Sequence, residues 1–326
     1  MDDAKETIMS KPFLAAAAHL APVYLDPAAS AAKAAEWIGK AGAAGIKLVV
    51  FPEVFLPGFP YWINLYPPLL QAGLNRRYQD ASVAADGPEM AVIREASAAH
   101  GVAVVMGFSE KPAGRYTCYN SAAVIDTDGT LLGVHRKLKP TYAERYIWGE
   151  GDGSTLSVYS SKLGRIGALA CWEHTMNLAR QALIEDGEQI HAGLWPGLDT
   201  MAGFEGVANW QIEAMMRNHA ITGQTFVISA SSPVTQEVLD VMADALGPTE
   251  MLKTGGGWTG IIHPFTPMLA GPVGGLEEQL VSAEIDLGAI ADARVWLDTS
   301  GHYSRPDVLQ LRINRTARSG LMESNS

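Results

Sequence analysis

The sequence predicts a single α/β domain in which antiparallel strand pairs sit inside layers of helix. Three observations lead there. Apolar runs of strand length alternate with helix-compatible stretches in the outer parts of the chain. Strand pairs bounded by turn residues dominate the middle. No linker, repeat or low-complexity block divides the chain, so one α/β core is the economical reading. A doubly wound nucleotide-binding fold is the competing architecture, but it requires GxGxxG after the first strand, and none is there.

The elements follow in order. Residues 13–20 form an apolar strand, and Asp26 or Ser30 opens an Ala-rich helix running to about Gly45. KLVVF, ending at Phe51, is continuously apolar, as a strand covered on both faces must be. It stops at Pro52-Glu53 and gives way to the loop VFLPGFPYW. Gly87-Pro88 starts a helix to His100, and VAVVMGF (102–108) is another buried strand. Strands at 119–126 and 131–135 flank Thr127-Asp128-Gly129-Thr130, a hairpin turn. After the charged loop 136–154, strands at 155–159 and 166–170 frame Gly164-Arg165. Strands at 189–195 and 225–229 bracket a helix over 205–222. Strands near 258–264 and 278–285, a helix over about 287–298 and a last strand, Val308–Ile313, complete the prediction, with a polar, frayed tail beyond Asn314.

Composition removes several functions. A formal charge of −11 with no Lys/Arg cluster argues against nucleic acid. FLAAAAHLA (13–21) resembles a signal-peptide core, yet the preceding segment holds three acidic and two basic residues, so it reads as the first strand. No run approaches the ~18 apolar residues of a membrane span. The two cysteines, Cys118 and Cys171, lack zinc or disulfide spacing, and the eight histidines form no HExxH. A reduced, cytoplasmic protein without a metal or organic cofactor is expected.

Three groups stand at strand ends, where side chains distant in sequence converge in layered α/β folds. Cys171 ends IGALA and precedes a helix-compatible segment; such a corner can present a nucleophilic thiol, although most free cysteines are inert core residues. Glu53 lies among Phe51, Val54, Phe55 and Leu56, surroundings that raise a carboxyl pKa into the range of a proton carrier; it could equally cap a loop. Lys137 could favour a thiolate and stabilise developing negative charge, or be a surface charge. Glu144 is near enough in sequence to hold Lys137 or a water, or to pair with Arg145. Tyr61, Trp62, Trp172 and Trp195 could line a pocket or fill the core, and His174 could touch substrate or be structural. Cys118 reads as core.

Together FPEVFLPGFPYW, RKLKPTYAERYIWGEGDG and CWEHTMNLAR resemble the three signature stretches of the nitrilase family, in order and across nearly the whole chain to GHYSRPDVLQLRIN. CWEH resembles the true nitrilase branch more than the amidases or carbamoylases. The resemblance implies a four-layer α-β-β-α sandwich and homo-oligomers, from dimers to spirals. It makes 13–314 the carbon–nitrogen hydrolase domain, between a flexible extension at 1–12 and the polar tail at 315–326. It also assigns Cys171 as nucleophile, Glu53 as general base and acid, Lys137 as charge stabiliser and Glu144 as the group positioning lysine or water. The expected substrate is a small organic nitrile, attacked by a Cys171 thiolate. An amidase, a carbamoylase or a cyanide hydrolase would use the same apparatus, and a non-catalytic scaffold would not need it.

Overall fold

The computed structural model describes residues 11–318. In chain order the elements are β1 (Phe13–His19), α1 (Pro27–Ala43), β2 (Ile46–Val50), α2 (Trp62–Leu65), α3 (Ala72–Ala81), α4 (Pro88–His100), β3 (Ala103–Glu110), β4 (Tyr119–Ile125), β5 (Leu131–Arg136) and β6 (Tyr159–Ser161). There follow β7 (Gly164–Ala170), α5 (Asn177–Glu185), β8 (Ile190–Trp195), α6 (Ala208–Gly223), β9 (Phe226–Ser231), α7 (Gln236–Leu246), β10 (Thr259–Ile262), β11 (Met268–Val273), β12 (Gln279–Ile285) and α8 (Gly288–Trp296).

The strands form two six-stranded sheets, ordered β12-β1-β2-β3-β4-β5 and β11-β10-β9-β8-β7-β6. In each, three central strands are parallel (β1-β2-β3 and β7-β8-β9) and the outer ones antiparallel. Period-two alternation decides the layers. Ala15, Ala17, Leu48, Val50 and Val105 face Ile166, Ala168, Ala192, Leu194 and Ile228 of the other sheet. Their neighbours Ala16, Ala18, Val49 and Val104 pack beneath α1 and α4, through Ala34, Ile38 and Ile93. On the far side, Leu169 meets Ala179, Ala182 and Leu183 of α5. Both sheets are therefore covered twice, which gives the four-layer α-β-β-α sandwich. No helix among the described residues is long and apolar enough to cross a membrane.

Local chemistry explains the ends. Asp26 accepts from the Ala29 N–H at 2.9 Å and caps α1, whereas the Ser30 hydroxyl bonds Val23 instead. The Asp126–Thr130 turn joins β4 and β5 as the sequence predicts. Three expectations need correction. The strand expected at 155–159 is short and later, at β6, and its turn is Lys162-Leu163. Residues 308–313 form no strand; Leu311 and Ile313 rest as extended chain on the small cluster around Leu156 and Leu169, while Val308 and Leu309 stay exposed. The sequence predicts no helix at α3 or α7, because their buried stripes are short: Leu74, Tyr78 and Ala81 in one, Val238 and Met242 in the other.

Residues 1–10 and 319–326 lie outside the described residues, and most of the predicted flexible extension and polar tail falls there. The first described tail residues are tied down, since Arg315 bonds Leu156 O at 2.6 Å and Asp186 at 2.8 Å.

Candidate active site

Each chemistry-bearing residue is held by a local irregularity at the end of a strand. After β2, Phe51 N–H bonds Val105 O at 2.8 Å, and Leu56 rejoins β3 through Ser109 N–H at 2.7 Å. Residues 52–55 bulge between these anchors, with Val54 at φ +41°. Gly107 of β3 makes the crossing possible: a Cβ there would stand 2.1 Å from Pro52 O. Glu53 is thereby buried, 1% exposed. Lys137 continues β5 by one residue, its N–H bonding Asn120 O at 2.8 Å and its carbonyl accepting from Gly151 at 2.9 Å. Glu144 sits in a 3₁₀ turn, Tyr142–Tyr146, and its Oε2 accepts from the Thr141 N–H at 2.8 Å. Cys171 ends β7 and begins another 3₁₀ turn with φ +53°, a left-handed conformation that non-glycine residues hold only when the surroundings impose it.

These side chains meet. Lys137 Nζ lies 3.1 Å from Glu53 Oε1 and 3.0 and 2.8 Å from the two Glu144 oxygens. Asn120 donates to Glu53 Oε1 at 2.7 Å, and Glu53 Oε2 has no hydrogen-bond partner among the described residues. Carboxylate oxygens of Glu53 and Glu144 and the Cys171 sulfur all fall within 4.8 Å of one another. Two carboxylates and a thiol could in principle ligate a cation, but the Lys137 ammonium already bonds both carboxylates.

Burial pushes the Glu53 pKa up, Lys137 opposes this, Glu144 reinforces it, and the balance is about 7. Burial also opposes the charge on Lys137, yet Glu144 and Glu53 outweigh it and hold the lysine above its usual range. For Cys171, burial and then the Glu53 charge push the thiol well up, against the opposing pull of Lys137 and the neighbouring Trp172 N–H. Glu53, poised as a proton carrier, stands beside this thiol.

The Cys171 turn is joined to the Lys137 segment by Glu173, which the sequence did not single out. Its carboxylate accepts from Ala170 N–H at 3.0 Å, from Leu138 N–H at 2.8 Å and from His135 Nε2 at 3.1 Å. Asn120 also escaped notice.

A cleft of about 380 Å³ opens over Cys171 and Glu144. Its walls come from the segment containing Phe59 and Leu65 and from the segment containing Leu198, Met201 and Phe204. Of the predicted pocket residues, Trp172 lines it, 5.5 Å from the Phe204 ring. Trp62 does not: it is buried against Tyr24 and Tyr78 and donates to Asn75 at 2.8 Å. Tyr61 is buried with its hydroxyl accepting from Gly197 N–H at 3.0 Å. His174 is buried and stacked on Trp195, ring centroids 5.0 Å apart, so neither reaches the cleft. Large aromatic rings beside a site serve the core as readily as the pocket, and the motif context did not separate the two uses. Cys118 is buried core, as expected.

A bulged glutamate, a buried lysine and a cysteine on a strained strand end, inside a four-layer sandwich, define a class of hydrolase. A profile of the carbon-nitrogen hydrolase family matches residues 14–295, and the chain belongs to that family. It is 40% identical to an aliphatic nitrilase from Rhodococcus rhodochrous over 93% of this chain and 83% of that one. It is 39% identical to a bromoxynil-specific nitrilase from Klebsiella pneumoniae subsp. ozaenae (97% and 89%) and 36% identical to an arylacetonitrilase from Aspergillus niger (90% and 89%). Among solved structures, a carbon-nitrogen hydrolase from Helicobacter pylori G27 superposes with a TM-score of 0.69 at 20% identity, covering 88% of this chain and 94% of that one. An amidase from Nesterenkonia sp. AN1, in complex with acrylamide, superposes at 0.60 and 17% identity (88% and 97%), so the fold alone does not separate amides from nitriles.

Proposed function

We propose that the protein hydrolyses a small organic nitrile to the carboxylic acid and ammonia, with Cys171 as nucleophile. The observation that carries this reading is one ammonium, Lys137, shared by two buried carboxylates, with a thiol within 4.8 Å of both at an apolar cleft. The names of the similar nitrilases support the choice of nitrile.

A nitrile is a weak electrophile, so the nucleophile must be activated as charge builds on nitrogen. Glu53 takes the thiol proton as sulfur bonds the nitrile carbon, then delivers that proton to nitrogen, giving a thioimidate. Glu53 next takes a proton from water adding to the same carbon. The nitrogen, protonated, leaves as ammonia, and a thioester remains. A second water, deprotonated in the same way, releases the acid and restores the thiol. Lys137 and the Trp172 N–H steady the charge of each tetrahedral species, and Glu144 holds the ammonium in place. A carboxyl near pKa 7 suits this alternation, since it both accepts and gives protons near neutrality.

The cleft favours an apolar organic nitrile over cyanide itself, whose two heavy atoms would leave most of about 380 Å³ unfilled. The experiment is ammonia release from a panel of aliphatic, aryl and arylaceto nitriles, each beside its amide. Faster turnover of the amides would replace this reading with an amidase. Two free cysteines suit a cytoplasmic protein, and exposed Trp210, Trp296 and Leu309 suit a homo-oligomer, which solution mass measurement tests.

A further inference from the structure

The strained backbone of Cys171 is anchored by groups that do not line the cleft. Its carbonyl accepts a hydrogen bond from His174 Nδ1 at 2.6 Å. His174 Nε2 lies 2.9 Å from His191 Nε2, and His191 Nδ1 lies 2.7 Å from Glu188 Oε1. The other Glu188 oxygen is 2.6 Å from His219 Nε2. All four side chains are fully buried. The neighbouring strand makes room for the carboxylate: a Cβ on Gly167 of β7 would stand 1.9 Å from Glu188 Oε1.

Satisfying every contact fixes the protons. A carbonyl only accepts, so His174 Nδ1 carries hydrogen. An ionised Glu188 also only accepts, so His191 Nδ1 and His219 Nε2 carry hydrogen. One proton then lies between the two facing Nε2 atoms, so the His174 ring is held from both sides. Burial, His191 and the nearby Arg180 all drive His174 neutral. Glu188 stays ionised because its two histidines outweigh its burial and hold it at about 2.

We propose that Glu188, acting through His191 and His174, is a positioning device for the Cys171–Trp172 peptide and so for the Trp172 N–H that faces the reacting centre. The two ends of a trans peptide point in opposite directions in one plane, so holding the carbonyl oxygen aims the N–H. That N–H directly follows Cys171 in the chain and helps hold down the pKa of its thiol. His191 Nε2, 2.9 Å away, keeps His174 Nε2 engaged and so favours hydrogen on Nδ1. A metal ion is not needed to explain the grouping of Glu188, His191 and His219, because both Glu188 oxygens are taken by ring nitrogens. This role rests on Cys171 being the nucleophile.

The test exploits an inversion. His174→Phe keeps a ring to stack on Trp195 but supplies no donor; His174→Asn loses the ring but places an amide N–H near the position of Nδ1. Positioning predicts kcat for nitrile hydrolysis reduced about 10²-fold in H174F, the scale of a misplaced catalytic group, with KM near native. H174N should recover most of that loss although its thermal midpoint is the lower of the two. Alkylation of Cys171 by iodoacetamide builds no charge at the Trp172 N–H and should stay within a few-fold of native in both. The proposal is overturned if H174F turns over as fast as H174N, or if H174F loses alkylation in step with turnover, the mark of a collapsed corner. Should H174F not fold, H174A against H174N carries the same comparison. Native protein and Cys171→Ala run alongside: turnover surviving C171A would overturn the catalytic assignment itself, a separate result.

Discussion

Glu53 and Glu188 are both fully buried and both tied to Cys171, yet one is pushed up to about 7 and the other held at about 2. The difference lies in their partners. Glu53 shares a single ammonium with Glu144, accepts one amide N–H, and leaves Oε2 without a partner among the described residues. Glu188 has a histidine ring nitrogen on each oxygen. Burial penalises both charges, and only the second carboxylate is compensated. An under-satisfied carboxylate beside a cleft can exchange protons during a reaction. A saturated one can only hold things still. Function follows from the partner count, not from depth.

The comparison breaks first at Glu53. Glu53→Gln keeps the shape and the Asn120 and Lys137 neighbours but cannot take a proton, so turnover should fall at least about 10³-fold, as for loss of a general base. In native protein, kcat/KM should fall about tenfold per pH unit on acidification below about 7, because the base form of Glu53 is lost there. A flat profile between pH 5 and 7, or substantial turnover in E53Q, would transfer the proton role elsewhere.

At Glu188 the expected damage is to stability. Glu188→Leu leaves His191 and His219 buried without their acceptor, a loss of about 3–5 kcal/mol for a broken buried pair. Chemical denaturation reads this directly. The acid response carries a sign. The folded-state pKa of His219 is lowered to about 4, burial being the largest cause, so the folded protein binds fewer protons than the unfolded chain between there and the usual histidine value of 6.5. Its stability contribution is intact above 6.5 and is lost as pH falls towards 4. Glu188 adds a second loss, from the usual 4.5 down to about 2. His219→Phe should abolish the upper window and narrow the lower one, because His219 is one of the two groups that hold Glu188 down.

How far these two clusters could be read from the chain differs as much as their chemistry. Glu53, Lys137 and Cys171 stand at strand ends, and strand ends are legible because an apolar run stops at a charged or thiol residue. The sheets were legible for the same reason. Glu188, His191 and His219 lie on or beside β8 and within α6, where no motif marks them. A hint existed in a glutamate and a histidine framing Ile190 inside an apolar strand, but only the packed structure pairs them with α6 and with Gly167. The pocket was half legible. Residues of 59–65 and 198–204 wall the cleft, but which of the aromatic residues near them turn inward depends on partners such as Asn75 for Trp62.

A smaller effect is expected at Glu144. Its charge raises both Glu53 and Lys137. In Glu144→Gln the ammonium pairs with Glu53 alone, so the acid limb of the pH profile should move to lower pH. Turnover should fall by roughly 10–10² through looser placement of Lys137. A limb moving upward would contradict the shared-ammonium arrangement.

The smallest expected change sharpens the cleft end of the comparison. Met201 and Phe204 wall the cleft opposite no charged partner, and Met201 is almost fully buried. Met201→Ala removes three heavy atoms from that wall, so a bulkier nitrile gains room while a small one loses contact. Apolar pocket discrimination is worth about 1–3 kcal/mol per methylene-sized change, so the kcat/KM ratio of an arylaceto nitrile to a short aliphatic one should rise about tenfold or more. The acid limb near 7 should stay in place, since no charge or hydrogen bond of Met201 acts on Glu53. A shifted limb with an unchanged ratio would place Met201 in the polar cluster instead, and would mean that the wall and the proton carrier are not separate parts.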